Sequence, residues 1–245
     1  TSRNLDREII WDNWFDPFDA DGYNVRPHMA MCQDGGYAVT GYYVIQDEWG
    51  NYVEWLGYVM KISSEGEFEW ADKDTLEFVP SVQIESHTVI ETVDGGLIHG
   101  GSGYLVKHDI NGNRLWEKNI DYSPRAMCYS IEGNIVITGI KESDCLFRII
   151  DHDGNEILEN DFTYGSGFTV AERIVLTSDQ NYVMSGGISD EVGNTDIFIC
   201  KVDSIGDTLW TYRKGGESND WDESNWLIEN SDNELVLVGE VKIPG

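Results

Sequence analysis

Glu91 and Glu229 occupy the same place in two copies of a recurring phrase, each three residues before an acidic marker, Asp94 or Asp232. Two carboxylates held near one pocket can divide acid and base, or acid and nucleophile, between them. They are the catalytic candidates of this chain. Ready-made catalytic phrases are missing: there is no GxSxG, HExxH, P-loop or GxGxxG. The five histidines (His28, His87, His99, His108, His152) do not fall at metal-ligand spacing. The stretches "DADGYN" (19–24) and "DINGN" (109–113) carry part of a calcium-loop pattern but lack its distal glutamate. They read first as turns, with calcium as the alternative; no metal site and no other cofactor is expected.

The elements that position these residues follow from two repeated phrases. The first reads "YVMKISSEGEFEW" (58–70), "YLVKHDINGNRLW" (104–116) and "FICKVDSIGDTLW" (198–210), each with a Lys nine residues before a Trp and a Gly between. This predicts a hairpin. A two-residue turn at Asn111 and Gly112 sets Lys107 opposite Trp116, and likewise Lys61 opposite Trp70 and Lys201 opposite Trp210. A cation over an indole in that register contributes about 0.5–1 kcal/mol. In the degenerate copy "FRIIDHDGNEIL" (147–158) the same register pairs Ile149 with Leu158.

The second phrase precedes each hairpin: "CQDGGYAVTGYY" (32–43), "TVDGGLIHGG" (92–101), "SIEGNIVITG" (130–139), "TSDQNYVMSGG" (177–187) and "NSDNELVLVGE" (230–240). Each unit therefore reads as strands a, b, c and d joined by tight turns. Its markers Asp34, Asp94, Glu132, Asp179 and Asp232 are spaced by 60, 38, 47 and 53 residues. Four antiparallel strands at such intervals describe the blade of a β-propeller. The last unit holds strands a and b only, and "LDREIIW" (5–11) reads as a strand d ending in Trp11. The expectation is all-β: five four-stranded blades in one domain of 245 residues, with the N- and C-termini closing one blade. Its segments are blade 5d at 1–15, blade 1 at 24–74, blade 2 at 84–120, blade 3 at 123–162, blade 4 at 168–214 and blade 5a–b at 222–245. Strand c of the closing blade then falls between about Val241 and Ser2.

These units resemble the secreted bacterial propeller repeats whose consensus runs T-x-DGG-Y-x-(V/I)-x-G … Y-L-V-K-x-D-x-x-G-x-x-L-W, and more distantly quinoprotein-type and WD-repeat propellers. Asp34 to Tyr37, Asp94 to Gly96, Tyr104 to Lys107 and Gly112 to Trp116 carry the match; Ile149 and Leu158 depart from it. The resemblance implies an extracytoplasmic protein, secreted, periplasmic or at the cell surface. The lack of an N-x-(S/T) sequon fits a bacterial source. Five-bladed glycosidases of similar architecture carry acidic residues on inner strands, which is what recommends Glu91 and Glu229.

In such a frame the start of strand a faces one mouth of the channel. Those positions hold Arg26 and His28, then His87, Arg125, Glu172 and Arg173, and Asn225 and Trp226. Their followers (Met29, Val89, Met127, Ile174, Leu227) are uniformly apolar. Packing demands sameness, so a varied polar ring marks a ligand surface. The insertion "YYVIQDEWGNYVEWLG" (42–57) adds Trp49, Tyr52 and Trp55 on that side, and Trp221 lies close by in sequence. Such aromatics suit sugar rings or a docked protein loop.

A net charge of −29 repels nucleic acid. No apolar run is long enough to span a membrane. Cys32, Cys128, Cys145 and Cys200 lie in scattered apolar contexts and read as free buried thiols more readily than as disulfides. Three functions remain open: a non-enzymatic propeller binding a glycan, peptide or partner protein; a carbohydrate-active hydrolase or lyase; and a structural module of a membrane-associated surface complex.

Overall fold

The computed structural model describes residues 2–3, 9–15, 22–47, 49, 51–74, 84–164, 166–215 and 222–241. They form strands and turns, with no helix among them. The chain divides into two compact units, Thr1–Ile120 and Asp121–Gly245. In the first, β1 (Ser2–Arg3) and β2 (Ile9–Trp11) make a short hairpin. Then β3 (Gly22–Met31), β4 (Tyr37–Gln46), β5 (Tyr52–Ile62) and β6 (Phe68–Lys73) form a four-stranded sheet. A second follows from β7 (Ser86–Glu91), β8 (Leu97–Gly101), β9 (Tyr104–His108) and β10 (Arg114–Asn119).

The second unit repeats the pattern. One sheet holds β11 (Ser123–Tyr129), β12 (Ile135–Lys141), β13 (Asp144–Ile150) and β14 (Glu156–Phe162). The next holds β15 (Thr169–Leu176), β16 (Tyr182–Ser189), β17 (Thr195–Val202) and β18 (Thr208–Lys214). A two-stranded sheet of β19 (Glu223–Glu229) and β20 (Leu235–Glu240) follows. Every pairing is antiparallel and in chain order, as the repeated phrases predict.

Burial explains the phrases. Middle strands such as β8, β9 and β16 are buried along their whole length. β16 is accordingly a continuous apolar or small-residue run, whereas β8 and β9 also bury His99, Lys107 and His108. Outer strands such as β10 alternate between half-buried and exposed residues. In the second unit one apolar cluster joins Val136, Phe147 and Ile149 to Tyr182, Met184, Phe198 and Cys200. Cys32, Cys145 and Cys200 are buried, Cys128 is half-buried, and all four are free thiols.

The predicted hairpin register holds: Lys61 lies opposite Trp70, Lys107 opposite Trp116, Lys201 opposite Trp210 and Ile149 opposite Leu158. Its expected chemistry does not. The Lys ammonium donates to the marker acid of the neighbouring turn, at 2.7 Å for Lys61 to Asp34, 2.9 Å for Lys107 to Asp94 and 2.6 Å for Lys201 to Asp179. A carboxylate at hydrogen-bond distance outcompetes the weaker pull of a ring face. The indoles reach forward instead. Trp11 Nε1 donates to Ser64 O and Trp70 Nε1 to Ile110 O, both at 3.1 Å, so each Trp closes the turn of the following sheet. The expected two-residue turn is also a longer one. Gly112 N donates to Asp109 O and Asp109 N to Asn113 O, and the register shifts between Arg114 and Trp116.

Candidate functional site

Each strand a carries a β-bulge at the same height. The register runs from Val25↔Tyr42 to His28↔Thr40, from Ser86↔Gly101 to Thr88↔Gly100, and from Pro124↔Gly139 to Ala126↔Thr138. It then runs from Ala171↔Gly186 to Arg173↔Ser185 and from Ser224↔Gly239 to Trp226↔Val238. The extra residues are Arg26 with Pro27, His87, Arg125, Glu172 and Asn225. These are the positions at which the repeats disagree. A bulge re-aims the side chain it carries.

Glycine on strand b makes room for it. A Cβ on Gly139 would meet Ser123 O at 2.1 Å, and one on Gly186 would meet Val170 O at 2.1 Å and Glu172 N at 2.9 Å. Gly101, Gly139, Gly186 and Gly239, near the ends of their second phrases, are thus required by close backbone approach. Of the apolar followers, Val89, Ile174 and Leu227 are buried, whereas Met29 is 63 % exposed.

In the second unit the predicted residues lie in a row across β11, β15 and β19, whose sheets pack in succession. Arg125 Nε stands 3.9 Å from Glu172 Oε1, and the Arg173 guanidinium lies 5.3 Å from the Trp226 ring centre. Burial lowers the Arg173 pKa, partly offset by Glu172 and Glu223. Arg125 Nε and Arg173 Nε are both buried without a hydrogen-bond partner. An orphaned charged donor is costly, and an acceptor supplied from outside would relieve it. Trp226 is 53 % exposed and Asn225 is exposed beside it.

In the first unit Trp55 stacks on Tyr42 at 5.7 Å, and His87 meets Tyr42 edge-on at 6.5 Å. His87 is buried, with Nε2 3.4 Å from both Ser102 Oγ and Glu85 Oε2. His28 is half-buried, and Trp49 is 80 % exposed at the tip of the β4–β5 hairpin. The side chains of Arg26 and Tyr52, and all of Trp221, lie outside the described residues.

The two candidate acids have structural partners. Glu91 Oε2 accepts Gln33 N at 2.7 Å, and Glu229 accepts Ser178 N at 2.7 Å and Ser178 Oγ at 3.1 Å. Each caps the a–b turn of the preceding sheet. Glu91 belongs to the first unit and Glu229 to the second. Cys32, Asp34 and Glu91 place possible ligand atoms within 4.8 Å of one another. The Lys61 ammonium already holds Asp34, and burial pushes the Cys32 thiol up to about 11. Of the calcium-like stretches, 19–21 lies outside the described residues. In the other, Asp109 accepts Asn111 N, Asn113 N and Asn113 Nδ2, so its carboxylate is committed to the turn.

Sequence reading missed a buried network at the heart of the first unit. Ser86 Oγ is 3.2 Å from His99 Nδ1, and His99 Nε2 is 3.5 Å from Asp74 Oδ1. Tyr104 donates to Asp74 Oδ2 at 2.6 Å. All four residues are 0 % exposed. A serine, a histidine and an aspartate in series suggest a nucleophile, but substrate has no path to this Ser86, which is also engaged with Thr40 Oγ1 at 2.6 Å. Burial raises Asp74 to about 7 and drives His99 well below the usual histidine range. A protonated Asp74 facing a neutral His99 lets one proton serve both otherwise orphaned atoms.

No protein-family model matches the sequence, and no curated protein matches it. Solved structures do. A protein of unknown function from Bacteroides caccae gives a TM-score of 0.58 at 10 % identity, over 86 % of this chain and 73 % of that one. Virginiamycin B lyase from Staphylococcus aureus gives 0.56 at 14 % identity, over 96 % and 75 %. A mannose phosphorylase from Leishmania mexicana gives 0.50 at 12 % identity, over 91 % and 82 %. At these identities the likeness is one of fold, and the fold is of β-propeller type. No helix among the described residues is long and apolar enough to cross a membrane.

Proposed function

We propose that this chain is a non-enzymatic, extracytoplasmic binding propeller whose ligand, a glycan, peptide or partner protein, is held by the bulged ends of the a strands. In this reading each repeat is one blade of a five-bladed propeller. The observation that carries it is the recurrence of one bulge in every repeat with polar residues of four types on it. A fold that needed the bulge only for packing would favour one residue type there. The unpartnered Arg125 and Arg173 donors, with Trp226 half open beside them, give that surface both hydrogen-bonding demand and an apolar platform. The turn-capping bonds of Glu91 and Glu229 favour binding over hydrolysis.

The test is a screen of the chain against a glycan array and a displayed peptide library. The expected ligand loses at least tenfold in affinity with Arg125→Ala and with Arg173→Ala while the melting temperature holds. Binding indifferent to both substitutions would refute the site. Release of sugar abolished by Glu91→Gln or Glu229→Gln would refute the non-enzymatic reading.

A further inference from the structure

A second surface, away from the bulge row, lies wholly within the second unit. Tyr164, Ile188, Phe198, Thr211, Tyr212 and Arg213 line a groove of about 280 Å³. Its location follows from strand parity. Phe198 and Cys200 on β17 belong to the apolar cluster shared with β12–β14, and their partners across the ladder are Arg213 and Thr211 on β18. The groove therefore opens on the face of this sheet that meets the preceding one, where the chain leaves β14 through Tyr164.

Its floor is aromatic and its rim is charged but balanced. Tyr164 stacks parallel to Phe162 at 5.8 Å and tilts against Phe198 at 5.0 Å. Its hydroxyl is tied down by Thr208 Oγ1 at 2.6 Å, which fixes the ring as a platform. Arg213 donates through Nε to Asp196 Oδ2, and the pair stands at the rim with Arg213 45 % and Asp196 19 % exposed. Tyr212, between Thr211 and Arg213 on β18, contributes its backbone to the groove and turns its ring to the opposite face of the sheet.

We infer that this groove binds one ring of a neutral saccharide. A sugar ring presents an apolar C–H face and a hydroxylated edge, and the groove offers an aromatic floor with a donor–acceptor pair at its margin. A guanidinium has five N–H donors, and only Nε–H goes to Asp196 here, so donors and a carboxylate stand side by side for vicinal hydroxyls. Charge decides between neutral and acidic sugars. Arg213 is already neutralised by Asp196, and the chain carries a net −29, so a uronate would be repelled where a hexoside is not. The volume is at the small end for ligand sites and suits a single ring.

The experiment titrates the intact chain with methyl β-glucoside, methyl α-mannoside, cellotetraose, xylotetraose and glucuronate, followed by heteronuclear NMR. At least one neutral saccharide is expected to shift the Thr211, Tyr212 and Arg213 amides in a saturable manner, and glucuronate to do so at least tenfold more weakly. Arg213→Gln and Thr211→Val, both at exposed side chains of the groove face, are each expected to weaken that binding at least fivefold with the amide spectrum otherwise intact. Leu115→Ser, at an exposed side chain of the first unit, is expected to leave it unchanged. No saturable shift up to 10 mM of any neutral probe, equal binding of glucuronate, or indifference to both groove substitutions would overturn the assignment.

Discussion

Gly186→Ala probes the bulge directly. Gly186 has an ordinary φ, so the new methyl adds no dihedral strain; it meets the Val170 carbonyl oxygen at 2.1 Å and the Glu172 amide at 2.9 Å. Ordinary contact begins near 3.4 Å, so the backbones must part by more than 1 Å. Neither neighbour is a flexible side chain. Relief requires either opening the β15–β16 ladder or removing the bulge. Removing it slips Thr169, Val170 and Ala171 by one residue, which turns buried side chains to the opposite face. Overpacking that soft cores absorb costs about 1–3 kcal/mol, and this site belongs at or above the top of that range, at about 3 kcal/mol. Gly133→Ala is the control. Its Cβ meets nothing within 4 Å, but its φ is +85°, which costs an alanine about 1–2 kcal/mol. Urea unfolding with unchanged m-value reads both differences. A loss below 1 kcal/mol for Gly186→Ala, or one no larger than that of Gly133→Ala, would show that the glycine is not what admits the bulge.

Three further outcomes follow from the same geometry. Asp74, at about 7 in the folded chain against 3.8 unfolded, keeps its proton where the unfolded chain has lost it. Its contribution is therefore full below about pH 4 and is lost as pH rises to 7. His99, held neutral against an ordinary 6.5, acts oppositely and costs stability as pH falls below that value. Asp74→Asn should make the slope of stability against pH more positive between pH 4 and 7, by up to about 1.4 kcal/mol per unit; an unchanged slope in urea midpoints would contradict the assignment. Gln180 occupies at φ 67° the turn position that is Gly95 and Gly133 in sister repeats. Gln180→Gly should raise stability by about 0.5–1 kcal/mol, read from the urea midpoint. Trp70→Ala should cost about 3 kcal/mol and speed amide exchange at Gly112 in the following sheet; exchange confined to β6 would argue against the forward contact.

Sheet order and hairpin register were legible because period-two burial and fixed Lys-to-Trp spacing are local properties of the chain. The height of the candidate surface was legible for the same reason. Alignment put Arg125, Glu172 and Arg173 at equivalent positions, and the structure seats Arg125 and Glu172 on bulges with Arg173 next in register. The bulges themselves were hidden, since an extra residue in a strand looks like any other. The Gly near the end of each second phrase was their available signal. The Lys partner was misjudged because both the indole and the carboxylate lie within reach in sequence, and only the geometry of the adjacent turn separates them. His99 and His108 looked scattered, although the register pairs Leu97 with His108 and His99 with Val106, which sets the two imidazoles diagonally on one face. Their rings stack at 5.3 Å. Asp74 could not be found that way, because it follows strand d and belongs to no repeated phrase.

The forward reach of the indoles gives the array a direction. Trp11 closes a turn one sheet ahead, Trp70 does the same, and Asn160 Nδ2 repeats the gesture at Gly206 O, 3.0 Å away. The repeats joined in this way have a donating end and a receiving end, like the monomers of a polar filament. A copy duplicated in tandem finds its neighbours already fitted to it, whereas one inserted in reverse would set two indoles against each other and leave two turns uncapped. Such an array can lengthen or shorten by whole units without any joint being redesigned. Trp210, 40 % exposed on β18, shows what a donating end looks like when the described residues include no c–d turn in the sheet ahead of it.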